Sequence, residues 1–120
     1  MNKTTGFAKT LRLGCAALAL SASAVLAQDG PIKIGVLEDQ SGDFAAATMV
    51  KVNAITLAAE EINAAGGIGG RPIELVVYDT QSDNTRYQEF MRRVLQSDQV
   101  DVVFAGFSSA SREAYRPIVN

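Results

Sequence analysis

Three apolar runs of six residues, spaced by helical patterns, constrain this chain more than any other feature. They are "IKIGVL" from Ile32 to Leu37, "IELVVY" from Ile73 to Tyr78 and "VDVVFA" from Val100 to Ala105. Short apolar runs bounded by turn residues read as strands. Between the first two, Thr48–Ala65 carries Val52, Ile55, Leu57, Ala58 and Ile62 near the helical period. That helix stops at "AAGGIGG", where Gly66 can take the left-handed C-cap. Asp83 or Asn84 can cap a second helix with Phe90, Val94 and Leu95 facing inward. A third runs from Ser109 to the chain end, bent or ended near Pro117.

The order is β-α-β-α-β-α. It predicts an α/β fold, a three-layer α/β/α arrangement around a parallel sheet. The apolar runs of strands two and three fit burial on both faces, and right-handed crossovers restrict the topology. A flavodoxin-like strand order 2-1-3 leaves strand three without the fourth neighbour it would expect. "VDVVFAGF" is then an exposed apolar edge, an aggregation hazard. The 120 residues therefore read as an incomplete fold, the N-terminal part of a longer protein.

Residues 1–27 read as a cleavable secretory signal. Lys3, Lys9 and Arg12 precede the apolar run Leu13–Leu20, and Val25 and Ala27 offer the small residues of a cut before Gln28. The run is far short of the ~20 residues a membrane span needs. Cys15, the single cysteine, lies early in that run with Arg12 where a lipoprotein signal wants an apolar residue. Residues 28–120 then hold no cysteine for a disulfide. Three of the eleven basic residues and none of the thirteen acidic ones fall within 1–27, so residues 28–120 carry a net charge of −5. Arg92–Arg93 reads as solvated helix surface. A nucleic-acid binder normally shows a basic face, and none is visible.

Catalytic constellations are missing too. Histidine is absent, and residues 28–120 lack cysteine. No His/Cys metal cluster, Ser-His-Asp or Cys-His arrangement can be assembled, and no Gly-x-Ser-x-Gly elbow is present. No metal or cofactor is expected, and the chain is not read as an enzyme. "GGIGGRP" invites a dinucleotide-binding reading but follows a helix and opens a strand, the reverse of a phosphate loop. Glu38–Asp39 resembles the acidic pair of a phosphorylation receiver. Such a domain also needs an aspartate at the end of strand three, and here that strand ends Phe104-Ala105-Gly106. The pair is expected at a solvated loop edge, the rim of a cleft.

Open α/β sheets bind ligands beyond the carboxyl ends of their strands, where strand order reverses. In the order 2-1-3 this selects "EDQSGDF", Glu38–Phe44, and "GFSSAS", Gly106–Ser111. The loop after strand two, with Asp79, Ser82 and Asp83, is expected to supply turn and cap residues. The second selected loop opens a helix, whose free N–H groups and dipole favour a carboxylate or carbonyl oxygen. Ser108, Ser109 and Ser111 can orient such a ligand, or one of them simply caps the helix. Phe107 reads either as pocket wall or as core.

"IKIGVLEDQSG", "AITLAAEEINAAGGIGGRPIELVVYDTQSD" and "VDVVFAGFSSASREA" together resemble the type 1 periplasmic binding proteins, and more narrowly the branched-chain amino acid group that serves ABC transporters. The likeness spans nearly all of residues 32–120, and "SSASREA" is most similar to the branch that binds urea and short-chain amides. The resemblance implies a two-lobed periplasmic receptor of roughly three times this length, with residues 28–120 in its first lobe. It implies a small amide, urea or amino acid as ligand and an inner-membrane ABC permease as partner. It maps the ligand's polar head onto Ser109, Ser108 and Ser111, and the cleft lining onto Gln40, Ser41 and Phe44. Ala47 and Asn53 stand where amino-acid binders often carry glycine. A ligand sensor or amide-responsive regulator using the same lobes is the alternative.

Overall fold

A computed structural model describes residues 30–120. The expected signal segment, its cut before Gln28 and Cys15 lie outside the described residues. The elements run β1 (Ile32–Glu38), α1 (Ala45–Ala64), β2 (Ile73–Asp79), α2 (Asn84–Gln96), β3 (Val102–Ala105) and α3 (Ser109–Val119). The strands form one sheet in the order β2-β1-β3, parallel throughout. Ile32 pairs with Ile73 and Glu38 with Asp79, while Ile34 pairs with Val102 and Leu37 with Ala105. This register gathers the carboxyl ends of the three strands on one rim.

Alternation along each strand divides the side chains between two faces. On one face Leu37 packs with Tyr87, Met91 and Val94 of α2, each at most 1% exposed, and Tyr115 and Ile118 of α3 close the cluster. On the other face α1 lies over the sheet through Val52 and Ala59, and Ile34, Leu75, Ile55 and Phe104 border an apolar groove. That groove is half open. Val102 and Phe104 remain 50% and 46% exposed and Val103 and Ala105 are partly buried against the α2 cluster, so β3 is not buried on both faces as its apolar run suggests.

The helices follow local chemistry with some shifts. α1 begins at Ala45 rather than Thr48, with Phe44 as a cap that offers no side-chain bond. Thr48 sits inside the helix with its hydroxyl turned back onto the Asp39 and Phe44 carbonyls. At the other end the Gly67 N–H donates to the Ile62 carbonyl and the Gly66 N–H to that of Asn63, which closes the helix as the glycines promise. Asp83 caps α2 by accepting from the Thr85 and Arg86 N–H groups. The buried stripe of α2 is Tyr87, Met91 and Val94; Leu95 lies one position round the helix and is exposed. Pro117 stays inside the last turn of α3.

Candidate functional site

Strand order reverses between β1 and β3, and the segments leaving those two strands face each other there. The segment after β1 is held by carboxylates. Asp79, the last residue of β2, accepts at Oδ1 from the Gln40, Ser41 and Gln81 N–H groups and at Oδ2 from the Ser41 hydroxyl, 2.7 Å away. Burial pushes the Asp79 carboxyl up, but the Ser41 hydroxyl and the Ser41, Gln81 and Gln40 N–H groups outweigh it and hold it below its ordinary 3.8. Asp39 accepts from the Thr80 hydroxyl at 2.5 Å and the Ser82 N–H at 2.8 Å. Ser82 in turn accepts from the Phe44 N–H.

These bonds hold a loop that costs energy to form. Gln81 and Ser82 are consecutive non-glycine residues in the left-handed region, at φ +55° and +56°. Each such residue costs on the order of 1 kcal/mol. The two loops also touch closely. Gly42 has φ +91°, and a Cβ there would stand 2.6 Å from the Gln81 carbonyl oxygen. Only glycine allows that approach.

One expectation is corrected outright. Glu38 and Asp39 do not form a solvated edge; they are 0% and 1% exposed. Burial raises the Glu38 pKa above its ordinary value, with the Lys51 ammonium opposing and Asp39 adding to the rise. Lys51 Nζ lies 2.5 Å from Glu38 Oε1 and donates to the Gly106 carbonyl at 3.2 Å. Glu38 Oε2 and the Tyr87 hydroxyl are buried without a hydrogen-bond partner among the described residues.

The corner after β3 is built differently. Ser108 is the N-cap of α3, its hydroxyl accepting from the Ser111 N–H at 3.1 Å. Ser111 is 2% exposed and donates its hydroxyl to the Ser108 carbonyl at 2.8 Å. Ser109, the first helical residue, is exposed, and its hydroxyl makes no hydrogen bond among the described residues. Phe107 is 54% exposed and meets Phe44 across the gap, ring centroids 5.5 Å apart. It is therefore not core.

Of the residues singled out from sequence, Phe44 and Phe107 are in contact, Ser109 stands open at the helix start, and Ser108 and Ser111 bond each other. The Ser41 hydroxyl is engaged by Asp79, and Gln40 is half-buried with its N–H on the same carboxylate. Sequence reasoning missed Lys51, which joins both segments. Its signal was isolation: it is the sole Lys or Arg between Lys33 and Arg71. The geometry offers a shallow apolar wall beside an open helix start, an arrangement suited to holding a small molecule with one polar end.

The periplasmic binding protein family matches residues 31–120. Among curated proteins, the Leu/Ile/Val-binding protein homolog 7 of Brucella melitensis is 38% identical over 96 residues, covering 77% of this chain and 24% of that relative. A crystal structure of the branched-chain amino acid transporter substrate binding protein LivJ from Streptococcus pneumoniae, in complex with isoleucine, superposes with a TM-score of 0.69 at 33% identity, covering 71% of this chain and 24% of that one. A fatty acid ABC transporter substrate-binding protein from Thermomonospora curvata does so with a TM-score of 0.68 at 27% identity, covering 76% and 23%. The chain thus spans about a quarter of the length of the relatives it matches.

Proposed function

The chain belongs to the periplasmic binding protein family, and on that premise we propose that it supplies the start of the first lobe of a two-lobed receptor, one that captures a small solute outside the inner membrane and passes it to an ABC permease. The observation that carries the reading is the pairing at the switch point: the Phe44–Phe107 wall beside the uncapped Ser109 hydroxyl at the start of α3. The favoured ligand is a branched-chain amino acid. Its carboxylate would meet Ser109 and the free N–H groups of α3. Its apolar side chain would lie on the two rings. The names of the relatives support that class.

Under this reading Ser108 and Ser111 shape the corner, while Gln40 and Ser41 form the rim opposite. The protein acts in the periplasm as a binder and performs no chemistry on its ligand. The residue pattern "SSASREA" favours urea or a short-chain amide as the second reading, with the same corner holding a carbonyl oxygen.

The experiment is calorimetry on the purified full-length protein with L-leucine, L-isoleucine, L-valine, acetamide and urea. Saturable binding of a branched-chain amino acid with Kd roughly micromolar or tighter is expected. Binding of acetamide or urea alone would move the ligand to the amide branch. Silence toward all five would sink the reading.

A further inference from the structure

Three ties hold the turn that places Phe107 and Ser109. The Gly106 N–H donates to the Leu37 carbonyl of β1 at 3.2 Å, and the Tyr115 hydroxyl of α3 donates to the Ala105 carbonyl at 3.1 Å. The third comes from α1, where Lys51 Nζ donates to the Gly106 carbonyl at 3.2 Å. It alone uses a charged side chain. The ammonium lies 2.5 Å from the carboxylate of Glu38, which ends β1 and is wholly buried. Lys51 remains 40% exposed while Glu38 is wholly buried, so the pair is buried at one end only.

An ion pair with one partner wholly buried is a poor device for stability alone, because well-packed apolar residues usually do as well or better. Its worth here is directional. Gly106 has φ +78°, and a Cβ there would crowd the Ser111 hydroxyl at 3.1 Å and the Tyr115 ring at 3.2 Å. Only glycine suits that turn, and glycine leaves the peptide free to rotate unless something holds its carbonyl. Rotation would swing Phe107 off Phe44 and turn the start of α3.

We infer that Lys51 is a positioning residue for solute capture. Its bond to the Gly106 carbonyl holds the turn that keeps Phe107 against Phe44 and sets the start of α3, and Glu38 serves as its counter-charge rather than as the tie. The inference rests on the solute-binding reading for what the corner holds, but the clamp itself can be measured without ligand.

The test uses the full-length protein. Lys51→Met alone strands a buried carboxylate, so the informative variant is Glu38→Gln with Lys51→Met, which removes the tie and leaves no unpaired charge. Glu38→Gln alone keeps the lysine and its bond to Gly106. Amide hydrogen exchange over residues 104–113, without ligand, should rise about tenfold in the double variant and stay near wild type in Glu38→Gln, with exchange in β1 and α2 unchanged. Affinity for L-isoleucine should fall about tenfold in the double variant and recover in the single one. Unchanged exchange at the corner would overturn the inference. So would a rise spread equally over β1 and α2, which would make the pair a general brace. A loosened corner that still binds L-isoleucine as wild type does would overturn it as well. If wild type binds none of the solutes tested, the binding reading fails, and the exchange data alone decide whether Lys51 holds the corner.

Discussion

The segments after β1 and after β3 face the same gap, yet they spend their polar groups in opposite ways. After β1, hydroxyls, amides and carboxylates satisfy one another: Asp79 takes four hydrogen bonds, and Asp39 binds both Thr80 and Ser82. After β3, Ser108 and Ser111 close a small capping ring, and the Ser109 hydroxyl is left unengaged among the described residues. One side is a finished wall and the other is an open hand. The proposed solute site needs both, because a ligand's hydrogen bonds count only against a frame that does not rearrange to meet them.

The largest effect should come from breaking the finished side. Asp39→Ala strands the Thr80 hydroxyl and the Ser82 N–H around a buried position, and should cost the full-length protein about 3 kcal/mol in chemical denaturation. A cost below ~1 kcal/mol would show that the first wall is not held as described.

Ser109→Ala tests the open side and should do the reverse. Stability should move by no more than ~0.5 kcal/mol, while the calorimetric affinity for the bound solute should weaken by ~1–3 kcal/mol. Unchanged affinity would reduce Ser109 to a solvated helix start and erase the contrast.

Asp79→Asn is the smallest and the most diagnostic change. It keeps the shape and removes the charge, at about 1 kcal/mol near neutral pH. The folded value of Asp79 lies below its ordinary 3.8, so its contribution is present above that pH and lost as pH falls through the folded value. The asparagine variant should therefore flatten the acid limb of the stability curve below about pH 4. Glu38 has the opposite sign. Its folded value lies above the ordinary 4.5, so the protein loses stability as pH rises from there, and Glu38→Gln should flatten that slope instead.

Much of the frame was legible in the sequence because it rests on local rules. Apolar runs announced the strands, Asp83 announced a cap, and the glycines after Ala65 announced a helix end. Crossover handedness narrows the topology without fixing it, and the order 2-1-3 is that of a flavodoxin-like sheet. The misreadings share a different cause. Glu38 and Asp39 looked solvated because their partners are remote: Lys51 lies thirteen residues on, while Thr80 and Ser82 are 41 and 43 residues from Asp39. No periodicity encodes such meetings. The apolar period puts the start of α1 at Thr48, yet the helix begins at Ala45 and the Thr48 hydroxyl serves the Asp39 carbonyl from inside its first turns. At Leu95 the helical stripe was right in kind and wrong by one position, enough to turn a leucine outward.

The contact between Gly42 and the Gln81 carbonyl bears on how such a protein diversifies. The spacing between the first two loops is fixed by two backbones in touch, so no exchange of side chains at Gly42 widens it without breaking the frame. The rings at 44 and 107 and the hydroxyl at 109 carry no such constraint. Descendants of this chain can vary those three positions one side chain at a time, one on the first segment and two on the other, while the backbone contact at Gly42 is inherited whole.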